Sequence, residues 1–155
     1  MVNYRKLTQD DIGLLADFRL GMFRDMGRIR DETQAAALVS ESKTYFQSVF
    51  GTDRLLALIA EIDGAAVAAG ILAVTQGAPK PGNLSGIEGY IYNLYTLPER
   101  RNQGIGSEIF NRLLAIAKER NIKYCWLFAT QDGRPIYLCQ GFVPITTAMK
   151  RTDES

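Results

Sequence analysis

The stretch Arg100-Arg101-Asn102-Gln103-Gly104-Ile105-Gly106-Ser107 sets two arginines, a turn-forming asparagine and two glycines directly ahead of an amphipathic run. A helix N-terminus presents unpaired backbone N–H groups and the positive end of the helix dipole. Glycine at 104 and 106 removes the Cβ atoms that would keep an anion away from those amides. Asn102 tolerates a left-handed backbone better than most other non-glycine residues. Arg100 and Arg101 add charge for a phosphorylated ligand. The familiar nucleotide loops do not match. A Walker ending is absent, and Ile109 stands where a dinucleotide fingerprint needs its last glycine.

What else could do chemistry is narrowed by an absence: the chain has no histidine. That removes Ser-His-Asp and Cys-His nucleophile systems and the HExxH zinc site, so no metal is expected. Acid–base work falls to Asp, Glu, Tyr, Cys, Lys or water. Cys125 and Cys139 lie outside any CxxC spacing and read as reduced, buried small hydrophobes of a cytoplasmic protein. The 18 basic and 17 acidic residues balance to +1, which gives no electrostatic reason to expect nucleic acid or a membrane as partner. The longest apolar run, Ala65 to Val74, is too short to cross a bilayer, and no secretory signal is read at the start.

The elements that must position the turn follow from periodicity. Val2 to Leu7 reads as a strand, and Thr8 with Asp11 as a capping box. Leu14, Leu15, Phe18 and Met22 mark one helix; after a break at Gly27 to Asp31, Leu38, Val39, Phe46, Val49 and Phe50 mark a second. Two apolar β-type runs flank Asp63-Gly64, a strong hairpin signal. A loop over 77–86 leads into a strand from Ile87 to Leu97, which Pro98 stops. The next helix carries a stripe of Ile105, Ile109, Phe110, Leu113, Leu114 and Ala117, with Asn121 as its left-handed end. Lys123 to Thr130 reads as a strand, Asp132 to Gly141 as a turn and short helix, and Phe142 to Lys150 as a final strand. One α/β domain over 1–155 is expected, with no internal repeat and no linker.

Two motifs in register carry a resemblance. The segment from Leu94 to Ala117 resembles motif A of the GCN5-related N-acetyltransferases (GNAT), with Arg101, Gly104 and Gly106 on its signature. Tyr137, four residues before Gly141-Phe142, resembles the end of that family's motif B. The resemblance implies a GNAT-like fold: a central mixed, mostly antiparallel twisted sheet with about four helices, splayed between the two central strands. It also implies acetyl-CoA as cosubstrate, its pyrophosphate on the amides from Asn102 through Gln103, Gly104, Ile105 and Gly106 to Ser107, and its pantetheine arm along Leu94, Tyr95 and Thr96. The Leu94 N–H would hold the developing oxyanion. Tyr137 would protonate the departing thiolate. Thr130 stands where many members have a pantetheine-contacting asparagine, and Asn102 replaces a common glycine.

For the base, family members that use a glutamate carry it at the position of Tyr90. Glu88 lies two residues earlier on the same strand face and could act through water. Tyr90 reads as a site wall and Tyr92 as strand packing. Arg24 to Asp31 falls where the family builds its acceptor pocket, although an exposed loop would look the same. The resemblance implies direct acetyl transfer to a primary amine, on a small molecule or alternatively on a protein N-terminus or lysine. A noncatalytic acyl-CoA-binding module is the contrasting reading, and a homodimer stays open.

Overall fold

The computed structural model describes residues 1–145 and 147–153. β1 (Val2–Lys6), β2 (Leu55–Ile62), β3 (Ala65–Gln76), β4 (Ile87–Thr96) and β5 (Tyr124–Trp126) form one sheet in the order β1-β2-β3-β4-β5. All neighbours are antiparallel except β4 and β5, which run parallel. α1 (Ile12–Asp25) and α2 (Glu32–Val49) cover one face; α3 (Ile105–Glu119) covers the other. α4 (Arg134–Cys139) follows β5.

Both faces bury apolar side chains. Leu15, Phe18, Phe46 and Val49 of the helix pair pack on Leu55, Ala57, Ile59, Ala69 and Ile71. On the opposite face Ile105, Ile109, Phe110 and Leu113 pack on Leu58, Ala60, Ala68, Leu72 and Ile91. A strand covered on both sides reads as a continuous apolar run, and β3 is buried without a break from Val67 to Ala73. The hairpin turn uses left-handed backbone at Asp63 (φ 51°) and Gly64 (φ 77°), the geometry a two-residue connection favours.

β4 carries the irregularity that shapes the site. Its register on β3 runs Ile71 to Tyr92, then Ala69 to Tyr95, so β4 spends one residue more than β3. The extra residue is a β-bulge at Asn93, whose φ is 55°. On its other side β4 pairs with β5 only over Glu88, Gly89 and Tyr90, and the two strands then part.

Three expectations from sequence are corrected. The strand expected over Lys123 to Thr130 is confined to Tyr124–Trp126, because β4 offers no pairing beyond Tyr90. No strand forms among the described residues of Phe142 to Lys150, and Thr146 lies outside them. Phe142 instead hydrogen-bonds the Tyr137 carbonyl through its N–H and packs against Phe110 at 5.5 Å, and Pro144 has no N–H for a ladder. Cys139 is exposed rather than buried, whereas Cys125 is half-buried; both are free thiols.

The entry into α1 is tied to the sheet edge by charge. Arg5 donates to both carboxylate oxygens of Asp11, at 2.6 and 2.8 Å, and to Glu61 at 2.8 Å. Thr8 donates its N–H and its hydroxyl to the same Asp11 carboxylate. The Arg5 guanidinium holds the Asp11 carboxyl well below the usual carboxylate range. A depressed folded-state pKa stabilises the fold above the unfolded value, about 4, and that contribution fades as pH falls below it. Asp11→Asn is therefore expected to cost about 2 kcal/mol at pH 7, since it removes the charge-assisted bonds to Arg5 and leaves Glu61 as the carboxylate still facing that guanidinium. Urea melts at pH 7 and pH 3 check this: the gap between wild type and variant should narrow at the lower pH.

Candidate active site

Beyond Tyr90, where β4 and β5 part, a cleft of about 580 Å³ opens between the C-terminal half of β4, the end of α1, the start of α3 and the segment leading into α4. Most residues expected at a site from sequence meet here. Leu94, Tyr95 and Thr96 contribute from β4, and Arg101, Asn102, Gly104, Ile105, Gly106 and Ser107 from the turn. Thr130 and Tyr137 close the far side. Gln103 and Glu88 are not among the lining residues.

The turn has the form its composition implies. Asn102 (φ 60°) and Gly104 (φ 76°) are both left-handed. A Cβ on Gly104 would meet nothing within 4 Å, so the space over it is open. Glu108 donates to the Gly104 carbonyl, while the N–H groups from Asn102 to Ser107 have no acceptor among the described residues. An arc of unpaired amides at the head of a long helix is suited to an anion.

Tyr137 rests edge-on against Phe110, with ring centroids 5.0 Å apart, and burial pushes its phenol pKa up. Its hydroxyl lies over Gly133, where a Cβ would come within 2.9 Å of it. Thr130 helps to place α4: its hydroxyl accepts from the Gly133 N–H and its carbonyl from the Arg134 N–H.

Similarity to known proteins identifies the family. The sequence profile of the GNAT acetyltransferase family matches residues 24–142. The chain belongs to the GNAT family of acetyltransferases. An uncharacterized N-acetyltransferase of Archaeoglobus fulgidus is 29% identical over 138 residues, covering 89% of this chain and 86% of its own. The crystal structure of a predicted acetyltransferase from Clostridium acetobutylicum, with acetyl-CoA, is similar at 34% identity and a TM-score of 0.89, covering 98% of this chain and 96% of its own. A GCN5-related N-acetyltransferase from Ralstonia eutropha matches at 33% identity and a TM-score of 0.89, over 98% and 99% of the two chains.

Several lining residues of this acetyltransferase escaped the sequence reading. Arg19, Met22 and Phe23 of α1 line the cleft, as do Phe128, Asp132 and Ile136. In the sequence Met22 only marks the helical spacing of α1; an arginine and an aromatic four residues apart, Arg19 and Phe23, are the available signal. Tyr92, read as packing, also lines the cleft beside Tyr90, and Asp25, Met26 and Arg28 bring the Arg24 to Asp31 segment into it.

Glu88 is placed elsewhere. Its carboxylate takes a 2.5 Å ion pair from Lys80, whose ammonium also stands 4.1 Å from the Tyr124 ring centre. Strand parity does put Glu88 on the face of Tyr90, but at the loop end of β4, away from the bulge.

Arg101 has its charge already answered. It donates Nε to the Thr96 carbonyl at 2.9 Å, makes a short ion pair with Asp25, and lies over the Tyr95 ring at 5.4 Å. Tyr95 in turn packs closely on α1 at Gly21, where a Cβ would come within 2.8 Å of its hydroxyl. Arg101 thus joins the end of α1 to the end of β4 and the turn. Both charged partners are about two-fifths exposed, at 39% and 41%, so water screens the pair. A double-mutant cycle of Arg101→Gln and Asp25→Asn should give a coupling under about 1 kcal/mol in urea melts. A larger value would mean that the pair holds the fold rather than aligning its parts.

Proposed function

We propose that this GNAT-family enzyme transfers an acetyl group from acetyl-CoA directly to a primary amine, and that the acceptor is a small molecule. What carries the reading is the convergence, in one cleft, of the unpaired amide arc, the β4 bulge and a protonated tyrosine. The C. acetobutylicum relative bound to acetyl-CoA supports the donor. A cleft of about 580 Å³ is in the range of small-molecule sites.

The donor supplies an activated acyl carbon and a good leaving thiolate. The arc from Asn102 to Ser107 holds its pyrophosphate, aided by Arg100, while Arg101 remains engaged with Asp25. The edge of β4 freed by the parting of β5 receives the pantetheine arm along Leu94, Tyr95 and Thr96. The N–H of Leu94, at the bulge, is a donor fixed in advance where negative charge develops on the carbonyl oxygen. The amine nitrogen forms the new C–N bond as the C–S bond breaks. The amine gives one proton to water; Tyr137 delivers one to the thiolate and recovers it from solvent. Its burial-raised pKa keeps the phenol protonated through neutral pH. A module that only bound acyl-CoA would have no use for such a donor. Glu88, held by Lys80, has no part in this scheme.

CoA should stabilise the protein against heat by mass action on the native state, and a thermal melt without any shift would end the cofactor reading. Gly104→Ala should weaken CoA binding at least tenfold by titration calorimetry, since a methyl enters the open space over the arc; the left-handed φ adds about 1 kcal/mol of strain. Tyr137→Phe keeps the ring and loses the proton donor. It should lower kcat by on the order of 10²-fold with CoA affinity unchanged. Because a raised acid is lost only as pH climbs through its pKa, wild-type kcat should hold up to about pH 10 on the alkaline side. A steady decline from pH 8, or an unchanged kcat in the phenylalanine variant, would assign the proton to another group.

A further inference from the structure

At the α1 side of the cleft two guanidiniums stand without a counter-charge. Arg19, half-buried on α1, has its guanidinium carbon 5.0 Å from the Phe23 ring centre and 5.6 Å from that of Tyr92. Arg28, just past left-handed Gly27, lies 5.1 Å from the same Phe23 ring. Both line the cleft, and among the described residues neither forms an ion pair. Among the described residues the one polar contact of the Arg19 side chain is a long 3.5 Å approach to Asn93 Oδ1. Their neighbours are satisfied: Arg24 pairs with Glu32, and Asp25 with Arg101.

A guanidinium that has given up part of its water normally recovers the loss on a carboxylate or phosphate, which its planar fork matches. Aromatic faces return only part of it. The nearby wall is aromatic. Tyr90 stacks on Tyr92 at 5.0 Å, and Phe128, 74% exposed, meets Tyr90 edge-on at 6.2 Å. Asp132 is the only lining carboxylate left unpaired among the described residues.

We propose that the acceptor is an amine that also carries a carboxylate or a phosphate, which Arg19 and Arg28 hold while an apolar or aromatic body lies against Phe23, Tyr90 and Phe128. The proposal rests on the acetyltransferase reading above and adds the substrate class. The same two cations act on the nucleophile. Positive charge near an ammonium lowers its pKa, so the pair that anchors the anion also favours the neutral amine. Acceptors with several ammonium groups are repelled by that surplus.

The test separates cofactor from acceptor. Titration calorimetry with CoA comes first; no binding would remove the transferase reading and this proposal with it. With acetyl-CoA saturating, thiol release is then followed for amino acids and their carboxamides, a 2-amino sugar and its 6-phosphate, and spermidine. The anionic member of a pair should exceed its neutral counterpart in kcat/KM by about 10- to 100-fold, with phenylalanine and leucine ahead of glycine and serine. Whichever anionic series is faster identifies carboxylate or phosphate as the group bound. Arg19→Gln and Arg28→Gln should raise KM for the anionic acceptor, bring the acid-to-amide ratio toward one, and leave CoA affinity unchanged. Arg28→Lys, on an exposed position, should keep the preference for anions. A CoA-binding enzyme that acetylates neutral amines or spermidine as well as the anionic members, or acetylates nothing in the panel, overturns the proposal.

Discussion

Because β4 holds Asn93 as an extra residue against β3, its side-chain alternation slips by one position, and both cores follow the slip. Ahead of the bulge Ile91 faces α3 and Tyr92 faces α1. Unbroken alternation would send Leu94 to the α1 face and Tyr95 to the α3 face. The observed packing is the reverse: Leu94 joins the α3 core and Tyr95 the α1 core. Asn93 makes this affordable. It tolerates φ 55°, it is 1% exposed, and its amide donates to the Leu15 carbonyl at 3.4 Å. Opposite it, β3 places Gly70, where a Cβ would sit 2.6 Å from Ile109 and 3.0 Å from Leu94. The smallest residue on one strand thus accommodates the side chain that the extra residue on the next redirects.

The same slip builds the cleft. A bulge bends its strand and interrupts its ladder, and β5 ceases to pair with β4 a few residues earlier. Backbone normally consumed by a sheet becomes available at the point where α1, the turn before α3 and the segment into α4 converge. Tyr95, redirected toward α1, fits against Gly21 and lies tilted on Phe18 at 5.6 Å. Arg101 then ties the turn to that assembly. Site geometry and core packing are two consequences of one residue count.

How much of this the sequence disclosed depends on the range of each constraint. The turn before α3 was legible because its requirements are local: left-handed backbone at Asn102 and Gly104 and an amphipathic helix directly after them. The hairpin at Asp63-Gly64 and the capping pair Thr8 and Asp11 were legible for the same reason. The bulge was not, since Tyr-Ile-Tyr-Asn-Leu-Tyr alternates as well as any regular strand, and Asn93 was its only mark. Glu88 shows the other limit. Period two gives the face of a residue but not its partner, and Lys80 comes from a loop whose path periodicity does not describe. The ends of β5 and the segment after Phe142 failed likewise, since pairing there depends on a distant strand rather than on local propensity.

Charge offers the last contrast between sequence and structure. A net charge of +1 over the whole chain argues against a broad attraction for polyanions, and it conceals what the cleft concentrates. Pairing removes Arg101 and Asp25 from the balance. Among the described lining residues the charges left unpaired are Arg19, Arg28, Arg100 and Asp132, a surplus of positive charge inside a concave, partly apolar wall. Such a wall focuses a field that an average over the surface dilutes. Arg100 stands beside the amide arc and the other two arginines beside Phe23. Under the proposed reading this surplus favours anionic groups on both reactants, because of the two lining carboxylates Asp25 is held by Arg101 and only Asp132 is left to oppose it among the described residues.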